Sequence, residues 1–297
     1  MSINPPNRNL ATLVGGTAVL MWATLALFTT MTGQIPPFQL AAMAFGVAFI
    51  LSCVKWAFSP RAAARALCQR PVVWLFGVGG LFGYHFFYFM ALKNAPPVEA
   101  GLIAYMWPLA IVVCSALLPG ETLRWYHVVG ALAGLVGTVV LVLGGSENGI
   151  GFDTRYTLGY AMAVMCAVTW TSYSLISRRF GSVPTDIVGG FCGASAILSF
   201  VCHLAFEETL MPVGDQWLAV LALGIGPVGA AFFTWDYGVK NGHIQALGAS
   251  SYAAPLLSTI LLIAFGYGAL TWSVGTACAL IVGGAVVASK DLIWSQN

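Results

Sequence analysis

Apolar residues in this chain come in long runs broken by short polar segments. A helix needs about 20 apolar residues to cross the hydrocarbon core of a bilayer. Ten runs come close to that length: Leu10–Met31, Phe38–Phe58, Val72–Leu92, Val98–Leu118, Trp125–Leu143, Leu158–Ile176, Ile187–Phe206, Trp217–Val239, Ile244–Ala264 and Leu270–Ala288. The roughly ten-residue alternating segments of an outer-membrane barrel are a different pattern. The chain therefore predicts an all-α integral membrane protein with ten transmembrane helices. The first run is too long for a secretory signal and lacks a small-residue cleavage site, so it is expected to stay as a span.

Composition sharpens this picture. Of the 297 residues 59% are hydrophobic and only 7% charged, where soluble chains carry about a quarter of their residues as charges. The lipid bilayer is the expected solvent. Net charge is +2, and the basic residues are scattered rather than gathered into a patch for a phosphate backbone, which sets nucleic acid aside. Positive charge marks cytoplasmic loops. With the amino terminus inside, Arg8, Lys55, Arg61, Arg65, Arg70, Arg124, Arg178, Arg179, Lys240 and Lys290 share the cytoplasmic side, and only Lys93 and Arg155 fall outside. Both termini are then cytoplasmic, and the acidic Glu147/Asp153 and Glu207/Glu208/Asp215 loops face out. Trp56, Trp74, Trp125, Trp217, Trp272 and Trp294 fall at span ends as headgroup anchors. The seven cysteines show no metal spacing and read as small hydrophobes.

The two halves repeat. Trp22, Gly33 and Pro36 recur 148 positions later as Trp170, Gly181 and Pro184; Lys93-Asn94, Tyr105, Pro108 and Trp125 recur 147 later as Lys240-Asn241, Tyr252, Pro255 and Trp272. Residues 1–148 and 149–297 thus form two five-span units. An odd span number inverts the second unit in the membrane, as in transporters whose halves exchange conformations around a central site. With its short loops and the repeated Gly101–Pro108 and Gly248–Pro255 segments, the chain resembles the EamA family of the drug/metabolite transporter superfamily. The resemblance implies a bacterial inner-membrane exporter with a central cavity between inverted halves.

Candidate site residues follow from depth. Trp22, Tyr84, His85, Tyr105, Trp107 and Trp170 lie within three residues of their run midpoints, or roughly 5 Å along the axes. Rings at that depth are too far in to anchor at headgroups, and their N–H and O–H groups need partners that lipid lacks. Tyr88 shares the face of Tyr84 at i, i+4. His85 is the mid-depth ionisable group, a hydrogen-bond donor or proton carrier. Asp236 and Lys240 are spaced for an ion pair near the cytoplasmic end, as structure or as inner gate. Pro108 and Pro255 are expected to kink their spans and to act as hinges or static bends. Gly77, Gly79, Gly80 and Gly83, and their counterparts around Pro227, predict bending or unwinding of both spans. The aliphatic Trp125 and Leu270 runs, with Gly130-xxx-Gly134, belong at the periphery in an intramolecular crossing.

These features point to alternating-access export of an aromatic or other largely apolar amino acid, or a related small metabolite. The alternatives are a drug or metabolite efflux carrier and a passive facilitator of other small solutes. An intramembrane enzyme fits less well: no serine stands in GxSxG, and no carboxylate cluster offers a metal site. No cofactor, catalytic residue or metal is expected, and ten spans require no oligomer.

Overall fold

The computed structural model describes residues 7–144, 153–267 and 269–290; Glu147 and Trp294, read above as an outer-loop acid and an anchor, lie outside them. Among the described residues the structure is helical, without strands. In chain order the helices are α1 (Arg8–Met31), α2 (Pro37–Ala57), α3 (Pro60–Leu67), α4 (Pro71–Asn94), α5 (Pro97–Leu117), α6 (Trp125–Gly144), α7 (Thr157–Arg179), α8 (Ile187–Phe206), α9 (Gln216–Asn241), α10 (Ile244–Ala264) and α11 (Trp272–Ala288). Pro37, Pro60, Pro71 and Pro97 each open a helix, where the missing N–H is no loss and the fixed φ is already helical.

Eight of these helices, α1, α2, α4, α5, α6, α8, α9 and α10, are long and apolar enough to cross a membrane. Helix α11 is apolar but only 17 residues long, and α7 has the length, 23 residues, but is richer in hydroxyl side chains. Large apolar side chains stand exposed around the bundle, among them Leu13, Ile50, Leu75, Ile197, Leu204 and Leu218, a surface far too apolar for water. This is a multi-pass membrane protein. Helix directions alternate, so α1 start, α2 end, α4 start, α5 end, α6 start, α7 end and the α9–α10 turn gather at one basic end. The α4–α5 turn, the start of α7 and the α8–α9 loop gather at the other.

Helices pair across the two halves: α1 on α9, α4 on α7, α2 on α8, α5 on α10 and α6 on α11. Glycine permits the closest of these approaches. A Cβ on Gly130 would lie 2.4 Å from the Gly284 carbonyl oxygen, and one on Gly15 would lie 2.8 Å from the Gly238 Cα. The Gly130/Gly134 motif is therefore consumed within the molecule, as expected of peripheral helices.

Several helices are interrupted. Turns at Tyr105–Met106 in α5 and Ser251–Tyr252 in α10 directly precede Pro108 and Pro255, because the ring removes a donor and clashes with the carbonyl four residues back. In α9 a π-helical turn, Gly226–Ala230, contains Pro227. Helix α4, by contrast, is unbroken, which corrects, for that span, the unwinding alternative in the expectation that both glycine-rich spans bend or unwind. Its glycines serve contact instead: Gly77 lies against the Phe191 ring and Gly80 against Tyr173. Trp125, Trp217 and Trp272 are exposed as anchors should be, but Trp56 is buried. Trp74 packs on Phe191 at 5.5 Å and donates Nε1–H to Leu67 O at 3.3 Å.

Candidate functional site

Four tryptophans from four helices meet inside the bundle. Trp22 of α1 has its ring centroid 6.2 Å from Trp107 of α5, 5.6 Å from Trp170 of α7 and 5.1 Å from Trp235 of α9. The remaining pairs are equally close: Trp107–Trp170 at 6.2 Å, Trp107–Trp235 at 5.8 Å and Trp170–Trp235 at 6.1 Å. Most cross edge to face, the arrangement a ring quadrupole favours. Three of the four were expected from depth. Trp235 was not, because it lies four residues from the end of its apolar run; its place as the counterpart of Tyr88, 147 residues earlier, was the signal available.

The indole N–H groups fare differently. Trp22 Nε1–H donates to Pro227 O at 3.1 Å, a carbonyl in the π-helical turn, and Trp235 Nε1–H donates to Ser174 Oγ at 3.1 Å. Trp170 Nε1 is buried with no hydrogen-bond partner, and a buried orphan donor costs about 1–3 kcal/mol.

A layer of tyrosine lies on one side of this cluster. Tyr84 sits 5.5 Å from Trp170, and Tyr84 and Tyr88 stack at 6.1 Å with planes 7° apart, as the i, i+4 spacing predicts. At about 1.5 Å per residue, Tyr88 is roughly 6 Å nearer the end opposite the basic one. Tyr105 occupies the break in α5. Its counterpart Tyr252 is fully buried and accepts the Leu109 N–H at 3.2 Å, which helps satisfy the interrupted helix. His85 packs against Phe45 at 5.1 Å and Phe232 at 6.1 Å, and Phe232 in turn lies 5.6 Å from Trp170. His85 Nδ1 lies 2.7 Å from Leu81 O; a carbonyl only accepts, so Nδ1 carries the proton and Nε2 is left as the basic nitrogen.

Exposure falls in steps toward the basic end. Trp22, Tyr84, His85, Tyr88 and Tyr105 are half-buried although their rings face other helices, Trp107 and Trp170 are buried, and Trp235 is fully enclosed. Beyond Trp235 lies the expected ion pair. Lys240 Nζ donates to Asp236 Oδ2 at 2.6 Å and to Val183 O at 3.0 Å, and Thr185 Oγ1 donates to the same carboxylate oxygen at 2.7 Å. Both charged side chains are at most 4% exposed.

A second ionic cluster at this end was missed, because its members are remote in sequence. Glu121, between α5 and α6, accepts Arg8 Nη2 at 2.6 and 2.7 Å, Arg178 Nη2 in a close contact, and Gln245 Nε2 at 3.1 Å. Arg178 Nη1 also donates to Val239 O and Gly242 O, each at 2.8 Å. Burial opposes ionisation of Glu121, but the charges of Arg178 and Arg8 and the bonds from Arg8 and Gln245 outweigh it and hold the carboxyl below its usual range. An acid within a loop otherwise read only for its arginine was the available clue. Among the described residues no group of three or more His, Cys, Asp or Glu is placed to hold a metal.

Comparison with known proteins agrees with this architecture. The aromatic amino acid exporter YddG of Ancylobacter novellus is 56% identical over 284 residues, covering 95% of this chain and 98% of the relative. The protein of the same name from Escherichia coli is 25% identical over 292 residues, covering 94% and 97%. A solved crystal structure, 54% identical, superimposes with a TM-score of 0.92 over 98% of this chain and 100% of the other. The EamA-like transporter family matches residues 9–143 and again 157–290; the chain belongs to that family.

Proposed function

We propose that this protein exports aromatic and other largely apolar amino acids from the bacterial cytoplasm by alternating access, with the substrate held against the tyrosine and tryptophan layers. The observation that carries the site is the convergence of Trp22, Tyr84, Trp107 and Trp170 on one point in the interior, next to a buried indole N–H without a partner. The function rests equally on the exporters to which the chain is related. In this reading a substrate ring packs edge to face on Trp107, Trp170 and Tyr84. Its ammonium meets an aromatic face, its carboxylate takes hydrogen bonds from Tyr88 or Tyr105, and the basic Nε2 of His85 accepts from a substrate N–H.

The same reading has ten crossings in two inverted five-helix units, residues 1–148 and 149–297, around a central cavity. Helix pairing supports it, since α1 on α9 exchanges with α7 on α4 under the repeat while α2–α8, α5–α10 and α6–α11 each map onto themselves. So do equivalent contacts at opposite ends: Gly15 meets Gly238 near the basic end, and their counterparts Ala163 and Ala91 share an apolar cluster near the other. Lysine and arginine counts put the basic end in the cytoplasm, with both termini and an inner-membrane location. The half-buried tyrosines then look outward while the cytoplasmic side is shut. Pro108 and Pro255 are the hinges, and Asp236 and Lys240 part of the inner gate. One chain suffices, because α6 and α11 close on each other.

Reconstituted in liposomes, the protein should carry a saturable phenylalanine flux that Trp107→Ala reduces and that unlabelled phenylalanine on the far side accelerates. Unchanged flux would remove Trp107 from the site, and a flux without trans-acceleration would identify a passive facilitator.

A further inference from the structure

We infer that the Glu121 cluster is the latch of the basic end, and that it acts by clamping the α9–α10 turn to α1, α7 and the α5–α6 loop. This rests on the alternating-access reading and adds to it the residues that decide which end is shut at rest. The Asp236–Lys240 pair lies within one helix, and its outside ties reach Val183 and Thr185 before α8 and Tyr173 on α7, whose hydroxyl donates to Asp236 Oδ1 at 3.5 Å. It fixes α9 to α7 and to the loop before α8, and does not reach α1, α10 or the α5–α6 loop.

Glu121 joins those four elements. Arg8 opens α1, Arg178 ends α7, Gln245 lies in the first turn of α10, and all three donate to the one carboxylate, which is 6% exposed. Arg178 then extends the cluster to α9: Val239 and Gly242 present carbonyls at a helix end, where intrahelical partners run out, and one guanidinium nitrogen takes both. Arg8 Nε reaches Gly242 O at 3.4 Å, and the His243 N–H donates to Thr12 Oγ1 at 2.8 Å. Separating this turn from α7 would expose a carboxylate, two arginines and several carbonyls together.

The repeat does not carry the donors of this latch to the opposite end. Positions corresponding to Arg8, Arg178, Asp236 and Gln245 at the opposite end are Tyr156, Thr30, Phe89 and Val98. Two related halves would otherwise open toward either side with similar ease, and a cluster whose arginines are replaced by Tyr156 and Thr30 in the repeat tilts that balance.

The test reads both ends at once in the full chain in liposomes. Ser177→Cys, buried beside Asp236 and Lys240, reports on the basic end, and Phe28→Cys, half-buried in the far part of α1, reports on the opposite end. N-ethylmaleimide labelling is read peptide by peptide, so the native cysteines stay. Glu121→Gln should raise labelling at position 177 by about tenfold and lower it at position 28, the reciprocal change of a shifted two-state equilibrium. A parallel rise at both positions, which general loosening would give, overturns the latch, as does no change at either. Arg8→Gln removes one half-exposed arginine and should shift both reporters the same way by about threefold; it decides the matter if Glu121→Gln does not fold. Phenylalanine flux through the parent protein is measured alongside. Absent flux with a reciprocal shift would sink the substrate reading and leave the latch, whereas normal flux without the shift would do the opposite.

Discussion

At the basic end, the turn joining α9 to α10 is held by Arg178, Arg8 and Thr12, with Glu121 behind them. At the opposite end the equivalent turn, joining α4 to α5, packs on α7 with Ala95 against Gly159, and the Glu99 carboxylate is buried in the first turn of α5. Polar contacts exist there too, but to one side: Glu207 accepts the N–H groups of Phe38 and Gln39 at 2.9 and 3.0 Å, and Gln39 exchanges bonds with Leu210. They brace α2 against the α8–α9 loop and leave the tyrosine layer half-exposed. Related sequence thus builds two ends whose closure differs in kind. Apolar contacts in a membrane part easily because lipid replaces them, while buried charges keep their partners.

The largest test of that contrast removes one charge. Lys240→Met leaves Asp236 buried without its cation and should lower stability by about 3–5 kcal/mol, seen as a large drop in the detergent melting temperature. Adding Asp236→Asn should recover most of it, and a drop that the second change leaves untouched would mean the lysine acts through packing. Glu207→Ala, at the other end, removes the cap of α2 and the bond to His203 Nδ1 at 3.0 Å and should lose about 1–3 kcal/mol in the same assay. A loss equal to that of Lys240→Met would erase the distinction between the ends.

Acid provides a finer probe. Because the Glu121 carboxyl is held below its ordinary value of 4.5, its contribution is fully present above that pH and is lost as pH falls through the lower folded-state value. The melting-temperature difference between parent and Glu121→Gln should stay constant from pH 8 to about 5 and shrink below about 4.5. A difference already shrinking at pH 6 would mean another group holds the latch. The smallest effect is expected of Tyr88→Phe, which keeps the stacked ring and removes one hydroxyl on the half-exposed side: melting should move by less than about 1 °C-equivalent of a surface change, within ±0.5 kcal/mol, while phenylalanine flux falls.

Much of the aromatic cluster was readable in one dimension. Run midpoints picked out Trp22, Tyr84, Trp107 and Trp170 because depth in a membrane is counted in residues, and the i, i+4 spacing of Tyr84 and Tyr88 became a parallel stack. The same counting passed over Trp235, near the end of its run, although it touches all three other indoles. It also allowed an unwinding of α4 that the continuous helix does not show, since glycine permits both unwinding and close contact, and the neighbouring Phe191 and Tyr173 rings sit against those glycines.

Hydrophobic run lengths, the 147- and 148-residue echoes and the placement of lysine and arginine were enough to establish a membrane bundle of related halves, because bilayer thickness and helix rise impose those regularities on any chain that spans. Which indole finds a partner, which acid gathers two arginines and which end is bound by charge depended on contacts between residues such as Arg8 and Glu121, 113 positions apart. Such contacts are set by how whole helices cross, and no local pattern along the chain encodes that geometry.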